Sequence, residues 1–253
     1  MKEKKRGMLM KIYKWLLGPI VNKGIFDNKT IPENSLASFE QAIQNNCALS
    51  FSVHVISDGT VVVFSDSQLS RLTHKDGYIK NLTYNDLENY HLLNTQYTIP
   101  TLEQVLNFVN NRTPLLIEIV STNKNVGMDE AKILNILNNY TGKFAIHSRN
   151  PFTVEWFKTN APQICRGFIN TKWKDMKKDY NSAYCEEKLP CSKKEIKKAC
   201  PQFTCFSADN LSKIKTFFYK NIPILAMSVS NMGQYKRAAR NADNMIMEEN
   251  FTI

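Results

Sequence analysis

Short β-branched runs alternate with amphipathic helical stretches from residue 20 to residue 247, and no other feature narrows the fold of this chain so far. Strand-like runs fall at Ile20–Lys23, Leu49–Ile56, Leu115–Val120, Phe144–His147, Cys165–Ile169, Thr204–Phe206, Ile224–Val229 and Met245–Met247. Helix-like stretches stand between them: Asn34–Asn45, Leu102–Val109, Asp129–Asn139, Phe152–Asn160, a segment capped by Ser192, Leu211–Tyr219 and Gln234–Arg240. In the first of these, Leu36, Phe39, Ala42 and Ile43 share one face, as a helix packed on a sheet requires. Eight strands with helices between them predict an α/β chain folded as one (β/α)8 barrel, the TIM architecture. Val61–Phe64 follows an Asp58-Gly59 turn and reads as an accessory strand outside the eight. Residues 66–99 and 170–190 are irregular and are expected to be insertions, the first of them after the second strand. The expected division is a basic arm over residues 1–19 and a barrel over 20–253, with no helix after the eighth strand.

A chain of 253 residues with 43% hydrophobic residues can bury a large core. No run of 18 apolar residues occurs, so no membrane-spanning helix is expected. Met8–Val21 comes nearest, but Lys11, Lys14 and Pro19 interrupt it and no small-residue cleavage site follows, which argues against a secretory signal. The six cysteines form no C-x-x-C pair. A structural zinc site is therefore not expected, and reduced thiols in a cytoplasmic protein are.

The net charge of +10 is concentrated in two places, six basic residues within the first 14 and nine lysines between Lys172 and Lys198. Such runs are either solvated faces or seats for anionic partners. The stretch Met8–Leu17 could lie on an anionic membrane, making residues 1–17 a peripheral anchor, or could cover an end of the barrel. No nucleic-acid partner is expected.

A barrel of this kind works at the C-terminal ends of its strands. The residues expected there are Asn22 and Lys23, Ser50, Ser52 and His54, Ser65, Glu118 and Val120, His147 to Arg149, and Met227 with Ser228. Within that set Glu118 is the only carboxylate, and no acid–base pair is evident.

The segment Pro32-Glu33-Asn34-Ser35-Leu36-Ala37-Ser38-Phe39 resembles the PENTLAAF segment of glycerophosphodiester phosphodiesterases. Similar matches follow at Asp58–Phe64, Ile99–Glu103, Leu116–Ile119, Asn160–Pro162 with Arg166-Gly167, Ile222–Ala226 and Ala242–Ile246, in order and with the family's spacing. The resemblance implies a phosphatidylinositol-phosphodiesterase-like TIM barrel that uses magnesium or calcium to hydrolyse glycerophosphodiesters to glycerol 3-phosphate and an alcohol. It also implies a site, and this chain departs from it. The family's acid–base histidines correspond to Asn22 and Ser65. The two metal carboxylates on the second strand correspond to Ser50 and Ser52, and the third is retained as Glu118. The family's phosphate-binding arginine corresponds to Lys23 and its lysine to Val120. Glu33 falls among the substrate-binding positions. Arg149 stands as an added charge where relatives read roughly Gln-Ser-Phe-Asn.

These replacements remove chemistry. Hard divalent cations bind oxygen, chiefly carboxylate, and neutral serine hydroxyls compete poorly with water. Neither Asn22 nor Ser65 can move a proton near neutral pH. The expectation is a catalytically inactive member, without a bound metal, that takes an anionic or phosphorylated ligand or a protein partner. A residual or altered phosphodiester hydrolase of lipid metabolism and a membrane-surface scaffold are the alternatives. Glu118 is expected to pair with Lys23 or Arg149 or to persist as a relic ligand, and His54 to be structural. Loss of two carboxylates should leave the mouth neutral to positive, so that Lys23 and Arg149 could hold a phosphate.

Overall fold

The structure is a computed structural model that describes residues 13–171, 192–211, 219 and 221–248. Nine strands occur in it: β1 (Ile20–Asn22), β2 (Ala48–Val55), β3 (Val61–Val63), β4 (Leu115–Ile119), β5 (Phe144–Ser148), β6 (Cys165–Asn170), β7 (Phe203–Ser207), β8 (Ile224–Val229) and β9 (Asn244–Met247). All except β3 run parallel, and β1 pairs with both β2 and β9. The eight parallel strands thus close into the expected barrel, with β3 added antiparallel to the far end of β2. The helices are α1 (Leu36–Gln44), α2 (Ser70–Thr73), α3 (Leu102–Val109), α4 (Met128–Leu137), α5 (Pro151–Asn160), α6 (Lys193–Ala199) and α7 (Met232–Asn241). Most of the expected insertion at 170–190, the interior of the expected helix Leu211–Tyr219, and residues 1–12 lie outside the described residues.

Local sequence explains where the long helices begin. The Ser35 hydroxyl accepts from the Ser38 amide at the start of α1. Thr101 and Gln104 form a reciprocal capping box on α3, and Asn150 caps α5 just before Pro151. Each of these side chains satisfies an amide that the first helical turn leaves without a partner. Asn34, expected inside the first helix, instead adopts a left-handed backbone with φ 60° and serves the barrel mouth.

Strand register sorts side chains into layers inside the barrel, because alternate residues point inward. Ile20, Ala48, Leu116, Ala145, Leu225 and Ile246 form an apolar floor. Leu16, from the 3-10 turn Lys14–Leu17, joins that floor at 4% exposure. The Asn244 side chain fixes this turn by donating to the Leu16 and Gly18 carbonyls, both at 2.7 Å. Of the two roles open to this stretch, the described part covers the barrel base. Phe203 then fills the interior opposite Gly167, where a Cβ would lie 2.2 Å from its ring.

The insertion over 66–99 is more ordered than its sequence suggests. Its residues Leu69, Leu72, Ile79, Leu82, Leu87 and Leu92 form a buried cluster with Val62, Phe64 and Ile99. These residues follow neither a helical nor a strand period, because they are spread over one short α-helical turn, two 3-10 turns and the loops between them, so periodicity could not reveal the cluster. Among the described residues, no helix is long and apolar enough to cross a membrane.

Candidate functional site

The turn after β1 is built by close backbone approach. The Lys23 amide donates to the Ser50 carbonyl at 2.6 Å, and the Lys23 carbonyl accepts from Asn34 N and Ser38 Oγ. Gly24 has φ 87°, and a Cβ there would sit 2.6 Å from the Ser38 backbone, so only glycine fits. This turn fixes Lys23 beside the Pro32–Phe39 segment, and Lys23 Nζ lies 3.1 Å from Glu33 Oε1.

Glu33 is 3% exposed and also receives both terminal nitrogens of Arg71, at 2.7 and 2.8 Å. Arg71 turns its other edge to Asp66. Burial alone would raise the Glu33 carboxyl, but Arg71 and Lys23 overcome it and hold the group at about 2. The two sequence candidates Lys23 and Glu33 therefore neutralise one another, and the insertion supplies a third member. Arg71→Ala leaves the buried Glu33 carboxylate with Lys23 as its remaining cation and Asn28 as a neutral donor, and is expected to cost about 3 kcal/mol. Urea unfolding of the variant at neutral pH measures it.

Across the mouth, Glu118 on β4 accepts from Ser52 Oγ at 2.9 Å and from Arg149 Nε at 3.0 Å. Glu118 thus pairs with Arg149, while Lys23 pairs with Glu33. Asn22 Nδ2 donates to Glu248 Oε1 at 2.9 Å, and Asn34 Nδ2 donates to Ser65 Oγ at 2.9 Å. Ser50 is buried between them on β2. Val120 packs against the insertion cluster.

Glu118 is therefore not the only carboxylate at the mouth. Glu248 follows β9 directly, and the register Val21 against Met247 brings it beside Asn22. The signal lay in the closure of β9 against β1, which carries the residue after Met247 to the end of β1. Nor, among the described residues, is the mouth biased to positive charge. Lys23, Arg71 and Arg149 face Glu33, Asp66, Glu118 and Glu248, and of these acids Glu248 is brought in by the closure of β9 against β1 rather than by any of the matched segments.

His54 and His147 are both buried, and burial lowers each ring from 6.5 to about 4 against the pull of Glu118. Each is neutral at physiological pH. His147 Nδ1 meets Cys205 Sγ at 3.4 Å and stacks near Phe203. Burial pushes the Cys205 thiol far above its ordinary value, so this contact is not a reactive thiolate. Both histidines are parts of the barrel interior.

The residues present do not fit a divalent cation. Among the described residues, no three His, Cys, Asp or Glu side chains converge as a metal ion would need. Both Glu118 oxygens are engaged, one by a guanidinium and one by a hydroxyl.

Residues 27–203 match the model of the Glycerophosphoryl diester phosphodiesterase family. A glycerophosphodiester phosphodiesterase of Bacillus altitudinis is 33% identical over 95 residues, covering 35% of this chain and 39% of that protein. One from Caldanaerobacter subterraneus is 26% identical over 153 residues, 56% of this chain and 63% of that protein. These matches span less than two thirds of the relatives' own length. An Oleispira antarctica phosphodiesterase, solved in complex with the product sn-glycerol-3-phosphate, superposes with a TM-score of 0.73 at 20% identity, covering 94% of this chain and 95% of that one.

Proposed function

The chain belongs to the glycerophosphoryl diester phosphodiesterase family, and from that premise we propose that it is a catalytically silent member whose barrel mouth receives a phosphorylated ligand of the glycerophosphate class. The observation that carries the silence is the state of Asn22 and Ser65. Both are neutral, neither can exchange a proton at physiological pH, and each is held in a hydrogen bond with a neighbour, Glu248 and Asn34. No imidazole replaces them, since His54 and His147 are enclosed in the barrel. Phosphodiester hydrolysis needs a base for the nucleophile and an acid for the leaving oxygen, and neither Asn22 nor Ser65 supplies one.

Support for the ligand class is the fold shared with a phosphodiesterase that binds sn-glycerol-3-phosphate, together with two cations at the mouth. Lys23 and Arg149 could each turn toward a phosphate through charge-assisted hydrogen bonds. Each is already paired with a carboxylate, so binding has to compete with an internal partner and is expected in the millimolar range. Calorimetric titration with sn-glycerol 3-phosphate, run on the unaltered protein and on Lys23→Ala and Arg149→Ala, tests this. Saturable binding weakened in both variants, with no diester turnover in magnesium or calcium, is the expected result. Equal affinity in all three, or no binding at millimolar ligand, retires the ligand and leaves a protein partner. Turnover that a chelator abolishes restores the reading of an altered hydrolase.

A further inference from the structure

We propose that the Arg149 guanidinium is the built-in cation of this mouth, taking on Glu118 the place that a divalent ion fills in a metal-dependent phosphodiesterase. The proposal deepens the silent-mouth reading and rests on it.

Three observations carry it. The first is burial. The Glu118 side chain is 9% exposed and that of Arg149 is 16% exposed, and a carboxylate so enclosed stays ionised only where a cation offsets its desolvation. The second is the direction of the hydrogen bond from Ser52. A carboxylate accepts only, so the Ser52 hydroxyl points its proton at Glu118 Oε2. A metal ligand would do the reverse and aim a lone pair at a shared ion. The serine thereby completes a neutral cluster around a guanidinium.

The third is that Arg149 is held in place by its neighbours. Ser148 and Asn150 on either side are fully buried. Ser148 Oγ donates to the Ile119 carbonyl at 2.7 Å, one residue beyond Glu118. Asn150 Nδ2 donates to Ser121 Oγ at 3.0 Å and to the Asn123 carbonyl at 2.7 Å, while its Oδ1 caps α5. The backbone bearing Arg149 is therefore tied to the loop leaving β4, the strand that carries Glu118. The backbone that bears the guanidinium is fixed before any ligand arrives, and a planar guanidinium can present paired donors to a carboxylate where an ammonium acts as a point charge.

The test measures metal affinity, which is independent of turnover and of glycerophosphate binding. Ser50→Glu with Ser52→Asp restores the acidic side chains; a second protein adds Arg149→Met, which keeps length and removes charge. If Arg149 holds the cation position, calcium and magnesium bind the triple variant at least about tenfold more tightly than the double. The unaltered protein should show no change in Tm with either ion or with chelator. Equal metal affinity in the double and triple variants overturns the proposal. So does metal binding by the unaltered protein that Glu118→Gln removes. If the triple variant fails to fold, Arg149→Ala alone is treated with methylguanidinium. A rise in Tm that the unaltered protein does not show supports the proposal, and no rise overturns it. Metal-independent diester turnover by the unaltered protein would defeat the silent reading and leave the cation assignment standing.

Discussion

Glycerophosphodiester hydrolysis is expected to stay at the uncatalysed level through every single reversal at the mouth and to appear only when the whole set is restored. That set is Asn22→His, Lys23→Arg, Ser50→Glu, Ser52→Asp, Ser65→His and Val120→Lys, and the geometry adds Arg149→Met. Asn22→His alone supplies an imidazole without a metal to bind the phosphoryl oxygens. Ser50→Glu and Ser52→Asp alone place carboxylates where Arg149 already occupies Glu118. A general acid or base is worth roughly 10²–10⁴-fold, and residues that act as a unit show their effect only together. The complete variant is expected to raise kcat/KM by at least about 10⁴-fold over the unaltered protein in magnesium or calcium. Release of glycerol 3-phosphate from glycerophosphocholine measures it. A comparable gain from Asn22→His alone would show that the mouth already holds a working acid, base and cation. Val120→Lys is the substitution most demanding on the fold, because Val120 packs against the insertion cluster. A Tm is measured alongside.

Stability is expected to collapse in mild acid, driven by His54 and His147. In the unfolded chain each ring protonates near 6.5; in the barrel each stays neutral until about 4. Between those values the unfolded state binds more protons, so stability is fully present above 6.5 and falls as pH drops toward 4. One pKa unit corresponds to about 1.4 kcal/mol, so two rings are expected to remove about 4 kcal/mol between neutral pH and about pH 5. Glu33 adds a second, lower window. Its carboxyl stands at about 2 in the fold against 4.5 ordinarily, so its stabilisation is lost as pH falls from 4.5 toward 2. Urea midpoints across this range provide the measurement. His54→Gln with His147→Gln should flatten the upper part of the curve; an unchanged slope in that variant would remove the histidines as its cause.

The sequence alone determined the barrel, because alternating strand and helix periods admit few other architectures and the spacing of the motifs fixes strand order. It also placed Asn22, Ser50, Ser52 and Ser65 where the resemblance puts the family's reactive residues, since a serine or asparagine at such a position is the same residue in any fold. The pairing at the mouth was decided only by the tertiary structure. Arg71 lies in a segment whose leucines follow no period, yet it completes the neutralisation of Glu33. Glu248 stands more than 200 residues from Asn22 and meets it only because β9 closes against β1. Whether Lys23 or Arg149 neutralises Glu118 could not be read from a charge pattern either. The left-handed turn at Lys23 directs that lysine to Glu33, while Ser148 and Asn150 anchor Arg149 beside the strand of Glu118. Periodicity is a property of neighbours along the chain and can be read in order; electrostatic partnership depends on distances that exist only once the barrel closes.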